Sequence, residues 1–349
     1  MARHKTRAKT RKQYVNPTSI AVSVATAVGL LILIGVVWMN AQLRPVSTDT
    51  TGKLVRVHQK GTKQLAKLLR HERLIRNVTA FRLLVKTQMA LGKCPAPKAG
   101  YYDLSPSMSS EAILEVICAG KVAKRKVTFP EGFTVKQMGE RVEEKLQVPA
   151  TEFVRSARGT AVDRALPFSL PRGKLEGYLF PTTYSLPVGE KAGFIVSEML
   201  ASFNEFFYKP NRAAIEASDL KLMGIVTLAS LVEREARVAS ERPVIAGVLV
   251  NRLNKGMRLQ CDATVQYALG DHKARLMYAD LKVDSPYNTY LHAGLPPGAI
   301  CNPGLDCLMA ALKPAKVPYL FYVARANGSH VFTETYAQHL AAIKQVRGR

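Results

Sequence analysis

Acidic residues are scarce in this chain: 26 Asp and Glu stand against 50 Lys and Arg over 349 residues, a formal net charge of +24 at pH 7. Such a surface suits anionic partners, among them lipid head groups and acidic polymers. No nucleic-acid-binding motif accompanies the charge, so no nucleic-acid partner is expected. Cysteine is sparse as well, and Cys94, Cys118, Cys261, Cys301 and Cys307 form no C-x-x-C pair. That spacing argues against a zinc site, and no metal or cofactor is expected. Charge of either sign is missing altogether from Thr18 to Met39. At roughly 1.5 Å per residue, those 22 residues make a helix of about 33 Å, enough to cross a bilayer.

What flanks the apolar run gives it a direction. Arg3, Lys5, Arg7, Lys9, Arg11 and Lys12 precede it without an acidic residue among them, and Trp38 sits at its far edge. The positive-inside rule then keeps the N-terminus cytoplasmic and exports the rest, an expected single-pass arrangement with the bulk outside. A cleaved signal peptide would have a shorter apolar region, about 7 to 15 residues, and a small-x-small site after it, so an uncleaved anchor is expected. Outside the membrane the thiols can oxidise. Cys94 with Cys118 and Cys301 with Cys307 are plausible pairs that leave Cys261 free, although spacing alone does not fix the connectivity.

The expected organisation is a basic arm (1–17), the span (18–39), a polar linker (40–52), a membrane-proximal α/β unit (53–125), a second unit (126–165) and a C-terminal α+β domain (166–349). The two middle units share an order. Strand Leu54–Val57, Gly61, a helix near Gln64–Leu69 and a second helix from Thr79-Ala80-Phe81 are matched by strand Val127–Phe129, Pro130-Glu131-Gly132, helix Val135–Lys145 and Thr151-Glu152-Phe153. The glycine-to-phenylalanine spacings, 20 and 21 residues, nearly coincide, which suggests a degenerate repeat. Between them Gly100–Leu104 reads as a strand, and Ser109 caps a helix that Gly120 ends. A strand–helix–helix unit of this size resembles the LysM module, which binds N-acetylated glycans; a plain spacer is the competing reading.

In the C-terminal part, Lys174–Tyr184 reads as strands and turns, followed by helices over Lys191–Phe207, Lys221–Ala239 and Val244–Asn254. Beyond Arg258, loops rich in Asn, Tyr, Pro and Gly suggest a cleft on a rigid frame. Tyr319–Val323 and His330–Thr333 flank Asn327-Gly328 as a hairpin.

Two carboxylates interrupt the helical pattern Leu228-Ala229-Ser230-Leu231-Val232-Glu233-Arg234-Glu235-Ala236. At 100° per residue they point about 200° apart, so one cleft can take only one of them. Glu233 stands four residues before Arg237, the spacing of a surface ion pair. Glu235 has no cation at helical spacing and lies with Leu228, Leu231, Val238 and Ala239, where loss of water raises a carboxyl pKa. Glu235 is therefore the expected acid catalyst, in the manner of enzymes that break glycosidic bonds.

An ordered set of further motifs extends this reading: Leu175-Glu176-Gly177 with Phe180-Pro181, Ser240-Glu241-Arg242, Asn251-Arg252-Leu253, Gly256-Met257-Arg258-Leu259-Gln260, Asp262, Thr264-Val265, Tyr267, Tyr287-Asn288-Thr289-Tyr290, Gly294-Leu295-Pro296-Pro297-Gly298, and Gly328 with His330 and Phe332. Over about Lys53 to Ile343 the chain resembles the MltG (YceG-like) family of endolytic murein transglycosylases. It departs from the family pattern at Thr182, where an Asp is usual, and at Cys261 and Ala263, where a Ser or Thr and a Pro are common.

The resemblance implies cleavage of the β-1,4 bond between N-acetylmuramic acid and N-acetylglucosamine within nascent glycan strands, leaving 1,6-anhydro ends and terminating elongation. It places the catalytic role on Glu235. Glu176 and Asn288, then Gln260, Asp262 and Tyr290, are the next candidates, as groups that position sugars or the acid. Peptidoglycan strands, the bilayer and peptidoglycan synthases are the implied partners. Two other functions compete: a non-catalytic wall-binding scaffold, and a hydrolytic muramidase using Asp262 or Glu176 as a second carboxylate.

Overall fold

The computed structural model describes residues 17–58, 61–158, 166–171, 173–270, 273 and 275–348. The basic arm, over residues 1–16, and the expected boundary near 165 lie outside them. The uncharged run forms helix α1 (Pro17–Leu43), within which Ala21–Leu43 is long and apolar enough to cross a membrane. Every side chain from Ala21 to Trp38 is exposed, whereas Met39 packs against the core of the following unit and Leu43 lies inside it. The expected linker at 40–52 is not a free tether. The helix continues to Leu43, and beyond it Val46 and Ser47 N–H donate to Pro106 O, Ser107 N–H donates to Asp49 O, and the Arg76 guanidinium donates to Pro45 O.

The chain divides into two compact units at Ala123/Lys124. The first holds β1 (Lys53–Val57), α2 (Thr62–His71), α3 (Val78–Ala90), β2 (Gly100–Leu104) and α4 (Ser110–Ala119). β1 and β2 pair antiparallel, with Lys53 opposite Leu104 and Val57 opposite Gly100. Alternation along the strands turns Val55, Val57, Tyr102 and Leu104 inward onto Leu69, Phe81 and Ile113. Asn77 caps α3, Ser109 caps α4, and Gly120 ends α4 in the left-handed conformation. Cys94 and Cys118 are joined by a disulfide.

The second unit runs β3 (Lys124–Thr128), α5 (Val135–Leu146), α6 (Ala150–Ser156), β4 (Thr183–Pro187), α7 (Ala192–Phe203), α8 (Lys209–Ala217), α9 (Lys221–Glu235), α10 (Arg242–Asn254), α11 (Asp262–Leu269), α12 (Leu305–Leu312), β5 (Phe321–Ala324), β6 (His330–Thr333) and α13 (Tyr336–Arg347). The fold is mixed α+β, with β5 and β6 the expected hairpin. β3 pairs with β4, 55 residues further on where Thr128 faces Thr183. Val127, Phe129, Met138, Val142 and Phe153 consequently share one apolar core with Leu179, Ile195, Leu228 and Val232. Residues 126–165 are thus not a separate core, because their strand lacks a partner of its own. α9 also ends at Glu235 instead of Ala239: Ala236 is extended, and a short 3-10 turn at Ala239–Glu241 leads into α10. No glycine marks that stop. Beyond it, Glu241 Oε2 contacts His330 Nδ1 at 2.7 Å.

Candidate active site

From Ile225 to Val232 every side chain of α9 is buried, so the helix is a fixed rod and its last residue, Glu235, is delivered to a defined place. The Glu235 carboxyl accepts a hydrogen bond from the Tyr322 hydroxyl at 3.3 Å, and the Ala263 N–H faces it. Burial, reinforced by the negative charge of Asp262, pushes its pKa up to about 7. A position at the helix C-terminus, the negative end of the peptide dipoles, also disfavours the ionised form. The nearby Arg252 guanidinium opposes these effects in part. It is itself buried, donating to Leu320 O at 2.6 Å and Leu259 O at 2.7 Å.

Two short segments assemble beside the acid. Cys261 N–H donates to Thr289 Oγ1 at 3.0 Å, Thr264 Oγ1 and Thr289 Oγ1 are 2.9 Å apart, and Gln260 N–H donates to Thr289 O. This clamp brings Asp262 to Tyr290, whose hydroxyl donates to Asp262 Oδ1 at 2.6 Å. Gln260 is exposed at the rim, on a left-handed backbone with φ 52°. Glu235, Asp262 and Tyr290 therefore gather as the sequence suggested. Asn288 differs. It is 0% exposed, its amide donates to Leu281 O and Val283 O, and its Oδ1 accepts from the Tyr290 N–H. With its polar atoms engaged below the surface, Asn288 holds the loop and Tyr290 and does not meet a sugar.

Glu176 lies on another wall. Its Oε1 accepts from Val135 N–H at 2.9 Å and from Asn302 Nδ2 at 2.8 Å, and the Tyr267 hydroxyl donates to it. Burial outweighs these bonds and pushes its pKa up to about 8. Glu176 and Tyr267 line a cavity of about 570 Å³ that is also bordered by Arg234, the residue before Glu235, and by Ala263, whose N–H faces Glu235.

Glu233 is not the ion-pair partner of Arg237. Its Oε2 accepts the Gly304 N–H at 2.9 Å at the start of α12, while Arg237 falls beyond the end of α9 and lies against Gly328. The pair Cys301 and Cys307 does not form: both are buried free thiols, with Cys301 Sγ turned toward Ser230 O and Cys307 on α12 in the core. Cys261 is free, buried beside the site.

Tyr322, Arg252, Tyr267 and Asn302 gained no role from sequence reasoning. Tyr322 reads as one aromatic of a strand, and Asn302-Pro303-Gly304 reads as a turn, which hides the fact that the Asn302 side chain also accepts from Gly177 and Leu179 N–H. Among the described residues, no group of three or more His, Cys, Asp or Glu could hold a metal ion.

A carboxyl that holds its proton near neutrality, fixed at the end of a buried helix beside Arg234 and Ala263, which line a cavity, is the layout of an enzyme working by general acid–base catalysis. The chain belongs to the YceG-like family, whose profile matches residues 55–345. It is 32% identical over 313 residues to the endolytic murein transglycosylase of Bacillus subtilis, covering 85% of this chain and 86% of that protein. The enzyme of the same name from Streptococcus pneumoniae is 33% identical over 264 residues, 67% of this chain, which spans 48% of that relative's length. The crystal structure of a YceG-like protein from Listeria monocytogenes aligns with a TM-score of 0.57 at 32% identity, covering 84% of this chain and 99% of that one.

Proposed function

We propose that this protein is a peptidoglycan lyase, an endolytic murein transglycosylase that uses Glu235 as its one acid–base group. The observation that carries the reading is the Glu235 carboxyl itself, its pKa raised to about 7 by burial, with its neighbours Arg234 and Ala263 lining a cavity. Protonated Glu235 gives its proton to the glycosidic oxygen between N-acetylmuramic acid and N-acetylglucosamine as the C1–O bond breaks. As carboxylate it takes the proton of the muramoyl O6 hydroxyl while O6 bonds to C1. The product is a 1,6-anhydro end; no water is consumed and the acid is regenerated. The substrate's acetamido group can support positive charge at C1, so a second carboxylate is not required. Asp262, held by Tyr290, keeps the Glu235 proton in place by its charge. Glu176, neutral at pH 7, is able to donate a hydrogen bond to a sugar.

The apolar helix α1 supports an anchor in the cytoplasmic membrane, with the arm inside and the catalytic unit in the periplasm, near newly made strands and their synthases. The order strand–helix–helix–strand, which occurs at β1-α2-α3-β2 and again at β3-α5-α6-β4, supports LysM-like glycan contacts.

Mass spectrometry of glycan strands incubated with the wild type and with Glu235→Gln tests the reading. Anhydro-ended fragments from the wild type, reduced about 10²- to 10⁴-fold in the variant, are expected. Equal product from both would remove Glu235 from the mechanism. Fragments that carry an added water would make the protein a muramidase, and binding without shortening would make it a scaffold.

A further inference from the structure

The cavity beside the acid carries more positive charge than a neutral glycan can use. Lys136 on α5, Arg158 after α6, Lys174 and Arg234 line it, against one exposed carboxylate, Glu140. Lys174 is held in position, with its Nζ 3.4 Å from the Tyr287 hydroxyl and 5.0 Å from the centre of that ring. These cations stand on separate elements and converge on one volume. Glu176, at the same cavity, stays protonated at pH 7 and adds no repulsion toward an anion.

The location restricts the occupant. Ala263, whose N–H faces Glu235, and Arg234, the residue before Glu235, both line the cavity, so a group seated there lies close to the sugar being cut. In murein the sugars are uncharged. The negative charge resides on the carboxylates of the short peptide attached to the muramoyl lactyl group.

We infer that this cavity is a subsite for that anionic peptide, read by Lys136, Arg158, Lys174 and Arg234, so that peptide-bearing strands are cut in preference to bare ones. The inference rests on the transglycosylase reading and deepens it. The carboxylates lie against the four cations while the muramoyl ring sits at Glu235, which turns peptide recognition into orientation of the scissile bond. Ion pairs at such an open site are screened by salt, so the preference is ionic-strength dependent.

The test uses the full-length protein in lipid nanodiscs and two substrates, peptide-bearing strands and strands stripped of peptide by an amidase, in which one lactyl carboxylate on each muramoyl residue replaces the several carboxylates of the peptide. The expected wild-type result is a kcat/KM about tenfold higher on the peptide-bearing substrate, with the ratio falling toward one between about 0.05 and 0.5 M salt. Lys136→Gln combined with Lys174→Gln is expected to lower that ratio severalfold, chiefly through KM on peptide-bearing strands. Equal kcat/KM on the two substrates at low salt, or a ratio that neither salt nor the double variant alters, would overturn the inference while leaving the transglycosylase reading intact. Failure of the wild type to cut either substrate would overturn both.

Discussion

At the last turn of α9 two carboxylates, two residues apart, meet different surroundings. Glu233 accepts the Gly304 N–H at the head of α12, where peptide dipoles favour its charge. Glu235 is surrounded by Tyr322, Arg252, Asp262 and Cys261, and burial lifts its pKa to about 7. The Tyr322 hydroxyl donates to the Glu235 carboxyl and so favours the ionised form. Tyr322→Phe should raise the Glu235 pKa above 7 and move the alkaline limb of the kcat/KM profile to higher pH, with KM little changed; a limb that stays in place would deny the contact any role.

Glu176 has a folded-state pKa of about 8, above the ordinary value near 4.5. Its neutral form is the one the fold prefers. Stability from this group is therefore fully present below about pH 4.5 and is lost as pH rises through about 8. Thermal unfolding between pH 5 and 9 should show a shallower decline for Glu176→Gln than for the wild type.

Among elements, the loop Asn302-Pro303-Gly304 ties the turn after β3, the Glu176 segment and the end of α9 together. The Asn302 side chain accepts from Gly177 and Leu179 N–H and donates to Phe133 O and Glu176, while its backbone exchanges bonds with Gly132 and Phe133. Gly177 in that cluster has φ +93°, and a Cβ there would sit 2.5 Å from both Ala299 Cβ and Val226 Cγ1, which restricts the position to glycine. Asn302→Ala would leave the buried Gly177 and Leu179 N–H donors unpaired; about 3 kcal/mol of stability should be lost, read from the midpoint of urea unfolding. Helix periodicity, Ser109 and Gly120 are local signals, so these elements are legible in the sequence. The end of α9 is not: Glu235 precedes no glycine or proline, yet Ala236 is already extended.

Across the whole molecule, the junction after the apolar helix is stiff, because Leu43 is buried in the first unit and Arg76 grips Pro45. Limited proteolysis of the full-length protein should spare residues 44–52 in the wild type and cut there in Arg76→Ala. The Cys94–Cys118 bond spans 24 residues of that same unit. Replacing both cysteines by serine should cost the unit about 3 kcal/mol, seen as a lowered thermal transition.

The sequence by itself determined the membrane-competent helix, the α+β class and the hairpin at Asn327-Gly328. Each follows from a local period, a cap or a missing charge, and these act over a few residues. Only the tertiary structure decided that β3 is completed by β4, that Asn288 is buried scaffold, that Cys301 and Cys307 stay apart, and that Tyr322 and Asn302 hold the two carboxyls. Those outcomes depend on which side chains are deprived of water together and which hydrogen-bonding groups must then find partners, a condition set by residues as far apart as Phe133 and Asn302.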